Sequence, residues 1–238
     1  MISRGREAAP PELGVVIPTL DEEETLPFLL EDLDALPVSV EVVVADGGSR
    51  DRTLEAARKR GARTVRTSAG RGRQMNAGAR TLASPWILFL HSDSRLPSET
   101  RDALLGWLRS PVSTEAAHFT FRLDRDGLWW SLIERSQRIR ERLTGLTYGD
   151  QGLLISRTRY EAVGGFPEIP VMEDVEVVRR LRRDGGLDRI GAPLITSARR
   201  YEREGAVRAC LRNLGLILLY FLSVQPDRLA RWYRPRSG

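Results

Sequence analysis

Two apolar runs in this chain each break off at a carboxylate, and that habit constrains the possible folds more than any other feature. Val40–Ala45 ends in Asp46-Gly47-Gly48-Ser49, and Trp86–Leu90 ends in His91-Ser92-Asp93-Ser94. Runs of about five or six Val, Ile and Leu residues read as strands buried on both faces, the habit of parallel sheets. In open α/β sheets, ligands sit in the crevice beyond the carboxyl ends of the strands. An acid there can bind a base edge, a ribose hydroxyl or a metal. A third run, Gly14–Ile17, ends in Pro18-Thr19-Leu20-Asp21-Glu22. Three such exits so close together predict one composite site.

The first half alternates strand and helix. Strands are predicted at Gly14–Pro18, Val40–Ala45, Arg63–Thr67 and Trp86–Leu90, and helices near Glu22–Ala35, Asp51–Arg60 and Gln74–Ala83. That order argues a mostly parallel sheet with right-handed crossovers. The second half is less regular. Helices are predicted at Ser98–Arg109, Leu128–Leu143, Thr158–Val163 and Val175–Asp184. Short extended segments are predicted at His118–Asp124, Gly152–Ser156, Leu187–Ile190 and Pro193–Thr196. With 238 residues and no internal repeat or clear linker, one domain over 13–238 is the simplest organisation. Residues 1–12 are polar, lack the apolar stretch of a signal peptide and read as a disordered start.

Charge narrows the partners. The net charge is +5, and Lys59 is the one lysine among 37 basic residues. The arginine excess reads either as coding bias or as affinity for phosphate or an anionic membrane surface. The arginines are scattered among acids with no recognised nucleic-acid module, so nucleic acid is not an expected partner. The single Cys210 excludes a disulfide framework and a cysteine-built zinc cluster, and a cytoplasmic location is the default. A helical pattern from Ala206 to Val224 carries the apolar run Leu214–Leu222, too short to span a bilayer. Arg208 and Arg212 precede it; Arg228, Arg231, Trp232, Tyr233, Arg234 and Arg236 follow. It reads as a C-terminal helix packed on the core or as a peripheral helix at a membrane surface.

Four segments carry chemistry. In Asp46-Gly47-Gly48-Ser49-Arg50-Asp51, glycines let backbone approach a ligand, and Asp46 can accept from a base N–H or ribose hydroxyl. The same segment also reads as a turn with capping acids. In His91-Ser92-Asp93, Asp93 suits a hard divalent ion bridging two phosphates, with His91 in the metal shell or packed beside it. Gly70-Arg71-Gly72-Arg73-Gln74 offers glycine and arginine to an anionic ligand before a helix start, without the ending of a Walker loop. Glu173-Asp174 opens a helix, either as a dipole-favouring pair or with Asp174 as a general base and Glu173 as its positioner. Arg199 and Arg200 follow a strand-like segment and could reach a diphosphate. Asp150 and Gln151 lie in a polar turn that could line an acceptor.

Together these residues resemble the family 2 glycosyltransferases of the GT-A fold. The resemblance rests on Ile17-Pro18-Thr19-Leu20-Asp21-Glu22, Asp46-Gly47-Gly48-Ser49-Arg50-Asp51, His91-Ser92-Asp93 and Glu173-Asp174 with its Gly164-Gly165-Phe166 lead-in. More narrowly, the chain looks similar to the bacterial radical-SAM/selenodomain-associated transferases. The resemblance implies a Rossmann-like, mostly parallel sheet flanked by helices, with a nucleotide-binding half at 13–97, an acceptor and catalytic half at 98–204, and a C-terminal helix and basic tail at 205–238. It implies inverting transfer from a nucleoside-diphosphate sugar with Mg²⁺ or Mn²⁺ to a small-molecule or lipid-linked hydroxyl. Pro18, Thr19, Glu22, Asp46, Gly48, Arg71, Arg73 and Ser92 would line the donor, Asp93 and His91 the metal, and Asp174 would be the base. Here His91 stands where the family has the first acid of its metal motif, and Gly47 where it has the second acid of its nucleotide motif. Asp46, Asp93 and Asp174 are therefore expected to face one another across one pocket. The rival readings are a nucleotidyltransferase, disfavoured by Pro18-Thr19-Leu20 where a phosphate loop with lysine would stand, and a non-catalytic nucleotide-sugar-binding homologue.

Overall fold

The computed structural model describes residues 12–110, 114–145 and 147–233. The polar start over 1–11 and the arginines at 234 and 236 lie outside them. The first half contains β1 (Leu13–Thr19), α1 (Leu26–Asp34), β2 (Val40–Asp46), α2 (Thr53–Lys59), β3 (Arg63–Arg66), α3 (Arg71–Ala79), β4 (Trp86–Phe89) and β5 (Ser94–Arg95). After it come α4 (Ser98–Arg109), β6 (Ala116–Leu123), α5 (Leu128–Thr144), β7 (Leu153–Ser156), α6 (Arg157–Ala162), α7 (Glu173–Arg183) and β8 (Asp188–Thr196). Three helices close the described chain: α8 (Arg199–Glu204), α9 (Ala206–Phe221) and α10 (Pro226–Tyr233).

One eight-stranded sheet runs in the order β3-β2-β1-β4-β7-β6-β8-β5. The four strands of the βα half pair in parallel, as the apolar runs of β1, β2 and β4 and the alternation of strand and helix predict, and β6 pairs in parallel with β8. β7 is antiparallel to both its neighbours, and β5 is antiparallel to β8. Every residue of β1 is buried, and its two faces feed separate cores. Leu13, Val15 and Ile17 pack with α1 and α4 through Leu26, Leu30 and Leu104. Val16 packs with α3, α6 and α7 through Met75, Tyr160 and Val178. Helices thus cover both faces of the sheet, the arrangement that parallel strands require.

This topology gathers chemistry at one edge. The parallel strands β1, β2 and β4 deliver Thr19, Asp46 and His91 there, and β6 and β8 end on the same side. Because β7 runs the other way, its amino end reaches that edge too, bringing the 3-10 turn Gly149–Gln151. Two expectations differ from what is found. Leu187–Ile190 and Pro193–Thr196 are not separate segments but one strand, β8, whose pairing with β6 shifts register opposite His118–Thr120. The helix expected from Gln74 begins at Arg71, so the arginines of the basic loop lie in its first turn.

Candidate active site

The first two strand-end loops brace each other through their acids. Asp21 accepts from the Arg50 amide (2.7 Å), and its own amide donates to Ser49 Oγ (3.0 Å). Glu23 accepts from the Arg52 amide (2.8 Å), and the Glu23 amide donates to Asp51 (2.9 Å). Asp46 is fully buried at the end of β2. Its carboxylate accepts from the amides of Gly48 and Ser49 at 3.1 Å each, with Arg66 Nε 3.9 Å away. Gly48 sits at φ 104°, a conformation glycine adopts at little cost. Asp46 thus folds its own turn. Gln74 of α3 completes the brace, donating from Nε2 to the carbonyls of Thr19 and Ala45 at 2.8 Å each.

A cavity of about 150 Å³ opens beside this edge, and Arg71, His91, Asp93, Asp150, Asp174 and Arg200 line it. A wider cleft of about 600 Å³ adjoins it, lined by Glu22 and Asp21 on one side and Arg199 and Arg200 on the other. Arg200 borders both. The expected meeting of three acids is therefore met by two: Asp93 and Asp174 share the cavity, whereas Asp46 lines neither space because its oxygens are turned into the glycine loop.

Asp174 reaches the cavity through backbone geometry. Met172, just before α7, takes the left-handed conformation (φ 69°), which costs a non-glycine residue about 1–2 kcal/mol. From there Glu173 and Asp174 diverge. Glu173 turns inward, 2 % exposed, and meets Arg71 Nε at 2.5 Å; its Oε2 has no hydrogen-bond partner. Asp174 Oδ1 accepts from the Val175 amide and Oδ2 from the Gly149 amide, both at 2.8 Å. A Cβ at Gly149 would lie 2.6 Å from His91 Nε2, so the absent side chain lets this turn close on both groups.

The electrostatics separate the cavity's charges. Burial, reinforced by the charge of Arg71, pushes His91 down to about 4, so the ring is neutral near pH 7. Burial and the negative charge of Glu22 raise Asp93. Burial lifts Asp150 to about 6 against the pull of Arg140, with Asp174 and Asp93 adding to the rise. Burial also raises Glu173, opposed by Arg71. Burial works against the Arg71 charge as well, but Glu173 with Tyr233 and Asp174 more than offsets it.

The remaining expected residues divide. Pro18 and Thr19 end β1, and Thr19 Oγ1 is buried without a partner. Ser92 is buried beside Asp93. Glu22 pairs with Arg199 across the wider cleft, and Arg200 donates to Tyr233 Oη at 2.6 Å. Arg73 is not a donor-site residue in this arrangement: it leaves the first turn of α3 outward, toward Glu168 (3.1 Å) and Ser68. Gln151 does not face an acceptor: it is buried, accepts from the Tyr148 amide and donates to Glu141 and Phe119. Sequence reasoning missed Gln74, Asn76, Tyr148 and Tyr233. Gln74 ends the glycine–arginine segment already singled out and Asn76 stands two residues beyond it, and that context was their one available signal.

A divalent ion implied by the fold family can be tested against these donors. Asp93 presents a half-buried carboxylate in the cavity wall whose charge is disfavoured by desolvation and by Glu22, and a cation would relieve both. Neutral His91 stands in the same wall. Among the described residues no group of three or more His, Cys, Asp or Glu side chains is placed to hold an ion. The donor set fits an ion that would be held by one carboxylate and would draw its other oxygens from outside the protein, as Mg²⁺ often does.

A curled, mostly parallel sheet flanked by helices, with acids gathered where its strands end, defines an α/β protein of the GT-A class. The chain belongs to glycosyl transferase family 2, whose model matches residues 14–160. Over 95 residues it is 34% identical to a 4,4'-diaponeurosporenoate glycosyltransferase of Staphylococcus haemolyticus (strain JCSC1435), a match covering 37% of this chain and 25% of the relative. Among solved structures, TarS 1-349 of S. aureus aligns with a TM-score of 0.63 at 17% identity, over 79% of this chain and 60% of that one. The mannosyltransferase PcManGT from Pyrobaculum calidifontis, in complex with GDP-Man and Mn²⁺, aligns with a TM-score of 0.60 at 19% identity, over 81% and 60%. The chain thus spans a quarter of the curated relative and about 60% of these two structures.

Proposed function

We propose that this chain transfers a sugar from a nucleoside-diphosphate donor to a hydroxyl of a small or lipid-linked acceptor, with inversion, on the cytoplasmic side of the cell. The observation that carries this reading is Asp174: a carboxylate held by two backbone amides in the wall of a cavity that it shares with Asp93 and Arg71. Solved neighbours with bound donors support the choice of substrate class; TarS is known with UDP-GlcNAc and PcManGT with GDP-Man.

In this reading the donor occupies the strand-end crevice. Thr19, Glu22 and the turn held by Asp46 shape the nucleotide end. Arg71, Arg199 and Arg200 face the diphosphate, since guanidinium groups grip phosphate oxygens bidentately. Asp93 holds the ion, with His91 beside it. A bound Mg²⁺ or Mn²⁺ supplies charge neutralisation for the departing diphosphate. Asp174 takes the proton of the acceptor hydroxyl as that oxygen bonds to the anomeric carbon. The bond from that carbon to the diphosphate oxygen breaks on the opposite face. Glu173 keeps Arg71 in place, and Asp150 lines the acceptor side.

The test is release of nucleoside diphosphate from UDP-, GDP- and TDP-sugars, with and without Mn²⁺, by the purified chain. Turnover on at least one donor is expected. Asp174→Ala should lower it about 10²–10⁴-fold, the usual contribution of a general base, while nucleotide affinity by calorimetry stays within twofold. Full turnover in that variant overturns the assignment. Release of pyrophosphate from a nucleoside triphosphate would favour the nucleotidyltransferase reading. Nucleotide-sugar binding without turnover would favour a non-catalytic homologue.

A further inference from the structure

The C-terminal helix pair has two faces with different jobs. Ala209, Leu216 and Ile217 of α9 point inward, and all three line the Asp174 cavity. On the other side Val207, Leu211, Leu214, Leu218 and Leu222 are 53–67% exposed. At 100° per residue these five side chains fall within an arc of about 80°. The stripe is thus an organised apolar surface, largely open among the described residues.

It continues onto α5. Leu128 is 81% exposed, and Trp129, Leu132 and Ile139 are about half exposed. Trp129 and Leu132 share an apolar groove with Val207 and Leu211, which joins the two helices into one surface. The charges around it are predominantly basic, with Asp126 before α5 and Asp227 on α10 as exposed acids beside the arginines. On α5, Glu134 turns inward to the Leu123 amide and Glu141 to Gln151. Arg135, Arg138 and Arg142 stay exposed, Arg138 lying 3.8 Å from Glu134. Arg208, Arg228, Arg231 and Trp232 extend the same character over α9 and α10.

We propose that the outer faces of α5, α9 and α10 form a docking surface for an anionic lipid bilayer. Apolar side chains enter the interfacial region, arginines meet the headgroups, and tryptophan sits at the boundary. The charge pattern selects this occupant over a second copy of the chain, because self-pairing would bring one arginine rim against another. Among the described residues no helix is long and apolar enough to cross a membrane, so the contact is peripheral. It places the cavity about one helix diameter, ~10 Å, from the lipid surface.

Sedimentation of the full chain with vesicles tests this. Binding is expected to phosphatidylcholine vesicles containing 30% phosphatidylglycerol, at least tenfold stronger than to pure phosphatidylcholine, and weakening as salt rises. L211E/L218E is expected to lose at least tenfold in affinity. R138Q/R142Q/R208Q keeps the apolar stripe and is expected to lose about 10²-fold on anionic vesicles, at about 1 kcal/mol per basic residue. Far-UV circular dichroism and nucleotide affinity should match the parent in both variants. No binding to either vesicle, or binding unchanged in the arginine variant, overturns the proposal. A parent dimer in light scattering that L211E/L218E dissolves, without vesicle binding, would assign the surface to a second copy.

Discussion

The acids of the β1 and β2 loops and two acids of the cavity, Asp93 and Asp150, are the same residue types in opposite circumstances. Asp21, Glu23, Asp46 and Asp51 each accept hydrogen bonds from backbone amides of their own or the neighbouring loop. Their charge is used to hold chain against chain. Asp93 and Asp150 face open space, and burial disfavours their ionised forms. Acids matched by fixed N–H groups inside the loops build the site, and acids poorly matched are left to meet a ligand; Asp174 combines the two, oriented by the Val175 and Gly149 amides yet lining the cavity.

The largest break in that contrast is expected at the ion pair joining the two sets of elements. Arg71→Met should leave Glu173 buried without a counter-charge. Removing one member of a buried pair costs about 3–5 kcal/mol; with Arg71 one-third exposed, about 2 kcal/mol is expected, read by urea unfolding at pH 7. Glu173→Gln in the same background should recover part of that loss. Asp46→Ala comes next. Two loop amides lose their acceptor, and a drop of about 1–3 kcal/mol is expected, with weaker donor binding as the turn loosens. Unchanged stability there would erase the distinction between building and facing acids.

Asp150 sharpens the other side. Its raised pKa means that ionisation opposes folding. The stability associated with its neutral form is fully present below its unfolded value near 3.8 and is lost as pH rises through about 6. Asp150→Asn is therefore expected to gain thermal stability relative to the parent at pH 8. The gain should shrink as pH falls through 6 and vanish near 4; a difference that ignores pH would reject the shift. The smallest effect is expected from Arg73→Ala. Its exposed pair with Glu168 is worth about 0–1 kcal/mol, and donor affinity should not change.

Those contrasts also explain what was legible in the sequence. β1 and β4 showed as continuous apolar runs because both faces of each strand are covered. Glu173 and Asp174 stood out because acids opening a helix are a local pattern. The start of α3 was hidden: arginines in a first helical turn oppose the helix dipole, and it is chiefly Glu173, about a hundred residues away, that makes Arg71 acceptable there. β8 was read as two pieces because Gly191 and Pro193 interrupt its pattern. α10 has one buried side chain, Leu229, and gave too little apolar rhythm to detect. Asp46 was placed at the right strand end, but the direction of its carboxylate depends on how Gly48 bends the turn.

Asn76 of α3 has a mechanical consequence. Its amide donates to the Phe166 carbonyl at 2.8 Å and accepts from the Phe166 amide at 3.0 Å and from Tyr160 Oη at 2.6 Å. About one and a half turns of helix separate Arg71 from this clasp on one side, and the stretch after Phe166 leads to Asp174 on the other. The clasp therefore fastens the helix that carries Arg71 to the chain that leads into Asp174, so guanidinium and carboxylate are carried by one tied unit rather than by two independent loops.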